Sequence, residues 1–291
     1  MKMIDTRVLS RTGPPFLFIH ANGYPPQAYQ SFLAHFLDKY SVMTLSLRPF
    51  ILGSDPTELQ DWRDFRDDYL KFIDDQEFIG GISDSNKADN QVIGVGHSVG
   101  AMTNLMAAIE RPNLFKALIL FEPVLFPPWQ GSMKRVMAPF KLLRKIHPLI
   151  RATLKRKVNF PSQEKMFMNY RAKPIFQRLS DDVLRDYVSG LANENQDGTI
   201  SLRYSPEWEA RIYETGGLAD DYVWKNLPRV TCPVLILRGK KSDTLKPMVV
   251  QRLIKDLPNG QYHTEPGTGH LLPLEIPDRA ASLVTQYLEH L

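Results

Sequence analysis

Cysteine is nearly absent from this 291-residue chain: Cys232 stands alone, which excludes an internal disulfide and any cysteine-built zinc site. Next to Pro233, at the start of an apolar run, it is expected to be a buried structural thiol. Long hydrophobic runs are also missing. No stretch approaches the ~18 apolar residues of a membrane-spanning helix. Met1 to Ser10 carry no apolar signal core, so a cytoplasmic location is the default expectation. There is no internal repeat, no low-complexity tract and no clustered metal-ligand motif. Gly94 and Gly96 are not followed by a phosphate-cradling Lys-Ser/Thr pair, and no dinucleotide fingerprint is present.

What the chain does have is apolar content arranged in alternation. With 43% hydrophobic and 23% charged residues, it can bury the core of one large α/β domain carrying an insertion. Strands are expected at Phe16–His20, Val42–Leu47, Gln91–Val95 and Lys116–Glu122, then at Pro233–Arg238 and Gln261–Glu265. Between them fall helices near Gln27–Asp38, Leu59–Phe78 and Ala101–Ile109, a polar loop reaching Asn90, and later helices near Met248–Leu257 and Ile276–His290. Such alternation predicts a mostly parallel sheet with helices on both faces.

From about Phe126 to Leu227 the alternation stops and amphipathic segments broken by prolines take over, which predicts a helical cap inserted into the core. The expected division is residues 1–125 and 228–291 for the core and 126–227 for the cap. Net charge is +4, and its distribution is uneven. Lys134 to Lys173 hold 12 basic residues against one acid, Glu164, so 12 − 1 = +11. Met133, Met137, Phe140, Leu143, Ile146, Ile150 and Leu154 recur at helical steps through the same stretch, with breaks at Pro139 and Pro148. The surface is read either as a solvated basic face or as one attracted to anionic membrane or acidic substrate. Nucleic acid is not expected, since no recognition motif or aromatic platform accompanies the charge.

Gly96-His97-Ser98-Val99-Gly100 lies between the Gln91–Val95 strand and the following helix. A serine at the apex of a strand-turn-helix needs small residues two before and two after it, and Gly96 and Gly100 supply them. The Val99 N–H and the helix N-terminus then face any oxyanion forming beside Ser98. A serine hydroxyl needs a histidine base oriented by a carboxylate. Of seven histidines, His270 in Gly267-Thr268-Gly269-His270 falls between the last strand and last helix, where it can reach over the sheet edge. For the carboxylate there are two candidates: Asp243, in the loop after Pro233–Arg238, is favoured, and Glu122, ending an earlier strand before Pro123, is the alternative.

The order Ser98, Asp243, His270 resembles the triad order of the α/β-hydrolases. The likeness covers nearly the whole chain: His20-Ala21-Asn22-Gly23-Tyr24-Pro25 resembles that family's oxyanion loop, Gly96–Gly100 its nucleophile elbow, Leu237–Leu245 its acid turn and Gly267–Pro273 its histidine loop. The resemblance implies the α/β-hydrolase fold and an oxyanion hole from the backbone N–H groups of Tyr24 and Val99. The chain departs from the usual histidine-glycine pair by carrying Asn22-Gly23. It implies a cofactor-free serine esterase acting on a small-molecule ester. Alternatives are lactone, thioester or carbon–carbon bond hydrolysis, or a ligand-binding receptor that keeps the fold. Trp129, Phe140, Phe160, Met166, Phe167, Met168 and Tyr170 in the cap favour an apolar acyl group.

Overall fold

The computed structural model describes residues 6–75, 91–127 and 142–291. The first strands are β1 (Thr6–Val8), β2 (Pro15–Ile19) and β3 (Ser41–Leu45), the latter two buried along their whole length, as central strands covered on both faces must be. The expected helix from Gln27 to Asp38 is broken into a 3-10 turn at Pro26–Tyr29, a single α-helical turn α1 (Gln30–Leu33) and a second 3-10 turn at Ala34–Phe36. Aromatic packing sets this path: Phe36 stacks on Phe16, and Tyr29 and Phe32 lie against Phe18. Contacts of that kind override the regular hydrogen-bond ladder of a short segment. Then follow α2 (Arg63–Asp74), β4 (Val92–His97), α3 (Val99–Glu110) and β5 (Phe115–Phe121). The expected extension of α2 to Phe78 and the polar loop to Asn90 lie outside the described residues. Every residue of α3 except Glu110 is buried, the mark of a helix enclosed by its neighbours.

After β5 the chain leaves the sheet. This insertion contains α4 (Leu142–Ile146), α5 (Pro148–Leu154), β6 (Asn159–Phe160), α6 (Gln163–Arg171), α7 (Asp181–Leu191), β7 (Ala192–Glu194), β8 (Ile200–Leu202), α8 (Pro206–Thr215) and α9 (Asp220–Asn226). Ser162, Ser180 and Ser205 cap α6, α7 and α8 by accepting the N–H groups of Lys165, Val183 and Trp208. The insertion is therefore not purely helical. Its antiparallel sheet, in the order β6-β8-β7, forms because Asp197-Gly198 closes a hairpin, with Gly198 at φ +77°.

Folding also neutralises part of the basic segment. Acids from farther along the chain return to it: Arg144 pairs with Glu207 and Glu214, Arg156 with Glu209, and Arg171 with Asp181. Lys145, Arg151, Lys155 and Lys157 remain exposed. Trp129, Met133, Lys134, Arg135, Met137, Pro139, Phe140 and Lys141 lie outside the described residues.

The chain re-enters the core through β9 (Val234–Gly239), α10 (Pro247–Asp256), β10 (Gly260–Glu265), α11 (Leu272–Glu275) and α12 (Pro277–Leu288). The main sheet has the order β1-β3-β2-β4-β5-β9-β10. β1 is antiparallel to β3, and the other pairs are parallel. Cys232, just before β9, is buried, and burial pushes its thiol up to about 12. The loops leaving β2, β4, β5, β9 and β10 gather at the carboxyl ends of the strands, where open parallel sheets place their sites.

Candidate active site

Ser98 follows β4 directly, with φ +58° and ψ −117°. A non-glycine residue held there is strained, and the surroundings enforce it. Its N–H donates to Phe121 O of β5, and its own carbonyl accepts Met102 N–H of α3. Both flanking glycines are sterically required: a Cβ on Gly96 would lie 2.4 Å from the Gly100 carbonyl, and one on Gly100 would lie 2.2 Å from Ile19 O. The serine is thus lifted from the sheet between two strands. Val99 N–H, the first of α3, is a donor that the helix cannot satisfy internally, at the positive end of its dipole.

His270 comes from the loop after β10. Its Nδ1–H donates to Glu122 Oε2 at 3.1 Å. This corrects the expected order of preference, because the carboxylate brought to the histidine is Glu122 and not Asp243. Glu122 directly follows β5 in the left-handed region, at φ +51°, and is fully buried. Its Oε1 accepts Gly239 N–H at 2.6 Å, and its Oε2 also accepts the Ser242 hydroxyl at 2.5 Å. Asp243 is exposed, and its side chain accepts the Thr244 hydroxyl at 3.2 Å. The difference arises in the turn after β9, where Ser242 is buried and Asp243 points to solvent. The turn is pinned by Lys241 N–H to Thr268 O and Ser242 N–H to Gly239 O.

The histidine loop is held from both sides. Gly269 N–H donates to the buried Glu275 carboxylate at 3.0–3.1 Å, and a Cβ on Gly239 would meet Gly269 O at 2.3 Å. From the elbow, His97 Nε2–H donates to the His270 carbonyl at 2.8 Å. That bond fixes the His97 tautomer, so its Nδ1 accepts the Tyr29 hydroxyl proton at 2.8 Å, and Tyr29 in turn accepts Ala21 N–H at 3.2 Å. One buried chain of hydrogen bonds therefore joins the β2 loop, the elbow and the histidine loop. Burial, reinforced by the adjacent His270, holds His97 well below its ordinary pKa and keeps it neutral.

His20 anchors the β2 loop by donating Nδ1–H to Ala21 O at 2.8 Å and accepting Leu47 N–H at Nε2. Burial lowers its pKa to about 4. Ala21 to Tyr24 then make a tight turn closed by Tyr24 N–H to Ala21 O at 3.1 Å, with Gly23 at φ +76°, the conformation that the third position of a type II turn demands. This is a second correction: the Tyr24 amide is consumed by the turn that Asn22-Gly23 encodes. Ala21 N–H is taken by Tyr29. Among the described residues, Asn22 N–H, the next amide of the loop, donates to no partner.

Of the aromatic and methionine residues expected around the acyl group, Phe160, Met166, Phe167 and Tyr170 belong to the hydrophobic core, and Met168 is exposed. The aromatic cluster touching the β2 loop is different: Tyr24 packs on Phe176 and Tyr187 at centroid distances of 6.2 and 5.3 Å. Asn22 and His97 fall inside the loop and elbow motifs without a role that the motifs assign, while Tyr29, Tyr204 and Glu209, which also organise the site, carry no motif in the sequence. Tyr204 and Glu209 reach it only through tertiary contact across more than 180 residues of chain.

An elbow serine and a histidine paired with a buried carboxylate thus sit at the carboxyl ends of the strands of a mostly parallel sheet. The chain belongs to the alpha/beta hydrolase family, whose model matches residues 16–283. It is 25% identical over 253 residues to the uncharacterized hydrolase YugF of Bacillus subtilis (strain 168), covering 87% of this chain and 81% of that protein. It is 23% identical over 281 residues to 2-(acetamidomethylene)succinate hydrolase of Mesorhizobium japonicum, covering 96% and 89%. The thioesterase domain from the curacin biosynthetic pathway superposes with a TM-score of 0.72 at 19% identity, covering 97% of this chain and 99% of that one.

Proposed function

We propose that this hydrolase cleaves carboxylic esters through an acyl-enzyme on Ser98. His270 Nε2 takes the Ser98 proton as Oγ attacks the carbonyl carbon, and returns it to the departing alcohol oxygen. Water then repeats the sequence and releases the acid. Glu122 keeps the proton on Nδ1 and stabilises the imidazolium. The N–H groups of Val99 and Asn22 receive the oxyanion. The observation that carries this reading is the His270–Glu122 hydrogen bond at 3.1 Å, on a loop that His97 of the elbow holds through the His270 carbonyl at 2.8 Å. Among the described residues, Ser98 Oγ and His270 Nε2 form no hydrogen bond with each other or with another group, which leaves both open for the proton transfer. The Tyr24–Phe176–Tyr187 cluster supports an acyl group of apolar character.

A panel of esters, thioesters and lactones, assayed with wild type and Ser98→Ala, tests the proposal. Rapid multiple turnover on uncharged esters, lost in the variant, supports it. A preference for thioesters, lactones or dicarboxylates moves the substrate class while keeping the mechanism, and a single slow turnover points to a ligand-binding receptor.

We further infer a peripheral contact with anionic bilayers through the α4–α5 corner. There the exposed Ile146, Leu149 and Val158 lie among Lys145, Arg151, Lys155 and Lys157. No helix among the described residues is long and apolar enough to cross a membrane. Co-sedimentation with phosphatidylserine vesicles should be strong at low salt and weak at high salt, and absence of binding at low salt removes the contact.

A further inference from the structure

The β2 loop is held by the insertion as well as by the core. The Tyr204 hydroxyl donates to Asn22 Oδ1 at 2.5 Å, and Asn22 Nδ2 donates to Glu209 O at 3.2 Å. Both polar atoms of the Asn22 side chain are thereby satisfied by residues of the insertion, and its own peptide N–H is left open. Beyond Tyr204 and Glu209 the anchoring continues inward. The Glu209 carboxylate pairs with Arg156 and accepts the Thr153 hydroxyl. The Arg156 guanidinium also donates to the hydroxyls of Tyr170 and Tyr187 at 2.7 and 2.8 Å. The pair is buried, with side chains 10% and 13% exposed, so its partners cannot be exchanged for water without loss. A Cβ at Gly23 would stand 3.3 Å from the Glu209 carboxyl carbon, so the loop is closely seated on this cluster.

We propose that Tyr204 and the Glu209 backbone act as positioning groups for catalysis, clamping the Asn22 peptide so that its N–H meets the oxyanion formed at Ser98. The insertion then completes the site in addition to covering it, and any movement of α8 is felt at the oxyanion donor. The inference rests on Ser98 being the nucleophile. The clamp is rigid in character: asparagine at position 22 is gripped at both ends of its amide, which a carboxylate or an alkyl group of similar size cannot reproduce.

Phosphonylation by a fluorophosphonate probe separates this inference from the nucleophile assignment, because the step places a charged oxygen in the same hole and needs no known substrate. Ser98 Oγ bonds to phosphorus, fluoride leaves, and the hydroxyl proton passes to His270. Labelling of wild type and not of Ser98→Ala establishes the nucleophile, and failure of wild type to label overturns the catalytic reading itself. With labelling established, Tyr204→Phe and Asn22→Ala should each slow phosphonylation by about tenfold or more while probe affinity stays within about threefold, and the double variant should lose little beyond the worse single one. Tyr222→Phe is the control, since it also removes a tyrosine bond from the insertion to the core, that to Glu110 at 2.7 Å, away from the β2 loop. It should label at the wild-type rate. Wild-type rates in Tyr204→Phe and Asn22→Ala, or equal slowing by Tyr222→Phe, overturn the clamp. Asn22→Ala approaches it from the core side should Tyr204→Phe fold poorly.

Discussion

Replacing Glu122 by glutamine changes one oxygen to an NH2 group where no donor can be accommodated. Oε1 accepts Gly239 N–H and Oε2 accepts both the Ser242 hydroxyl and His270 Nδ1–H. Whichever way the amide is turned, its NH2 faces an existing donor. With the NH2 toward His270, the imidazole must move its proton to Nε2, and it can no longer accept from Ser98. The expected loss in kcat is about 10³–10⁴, or roughly 4–5.5 kcal/mol, with KM little changed. The unsatisfied buried group also costs stability, on the order of 1–3 kcal/mol. Asp243→Asn, at an exposed side chain bonded to Thr244, should change kcat by about twofold at most. Steady-state hydrolysis of a short p-nitrophenyl ester, run beside thermal melts of each protein, reads both effects. If folded Glu122→Gln keeps its activity while folded Asp243→Asn loses about a thousandfold, the carboxylate assignment is wrong.

Ser98→Ala should lower esterase kcat by roughly 10³-fold or more with the fold retained; wild-type rates in the purified variant would exclude the serine mechanism. Tyr29→Phe leaves Ala21 N–H and His97 Nδ1 without their partner and should cost roughly 1–3 kcal/mol in urea unfolding, an unchanged midpoint showing that the buried chain of hydrogen bonds contributes nothing. Stability should also fall with acid. His20 is lowered to about 4 and His97 well below 6.5, so both are neutral in either state at high pH, and as pH drops below 6.5 the unfolded chain binds protons that the folded chain refuses. Each then costs about 1.4 kcal/mol per pH unit down to its folded pKa, and equal urea midpoints at pH 7.5 and 5 would contradict this.

The parts of this molecule that depend on local sequence were legible. β2, β4, β5 and β9 are central strands and read as short, mainly apolar runs, and the Gly96–Gly100 elbow carries its steric requirement in its own five residues. His270 was legible from its place between the last strand and the last helix. The acid was not, because Asp243 and Glu122 both follow buried strands, and the choice turns on which side chains of the β9 turn point inward. The turn buries Ser242 and sends Asp243 outward, while Glu122 takes a left-handed backbone that only the folded surroundings hold. Asn22-Gly23 was visible as a departure from the usual loop, but reading it as a tight turn would have removed Tyr24 N–H from the oxyanion hole. The contacts of Tyr204 and Glu209 with Asn22 join residues 182 and 187 positions apart, and no periodicity or motif encodes pairs of that kind.

Rapid-quench mass spectrometry shows whether Ser98 carries the acyl group and whether the buried Glu122 orients its base. Wild type and Glu122→Gln are mixed with a p-nitrophenyl ester, quenched, digested and examined peptide by peptide. An acyl adduct confined to Ser98 should form within the first turnover in wild type and about a thousandfold more slowly in Glu122→Gln. An adduct on another residue, or equal rates of acylation at Ser98 in both proteins, would contradict it.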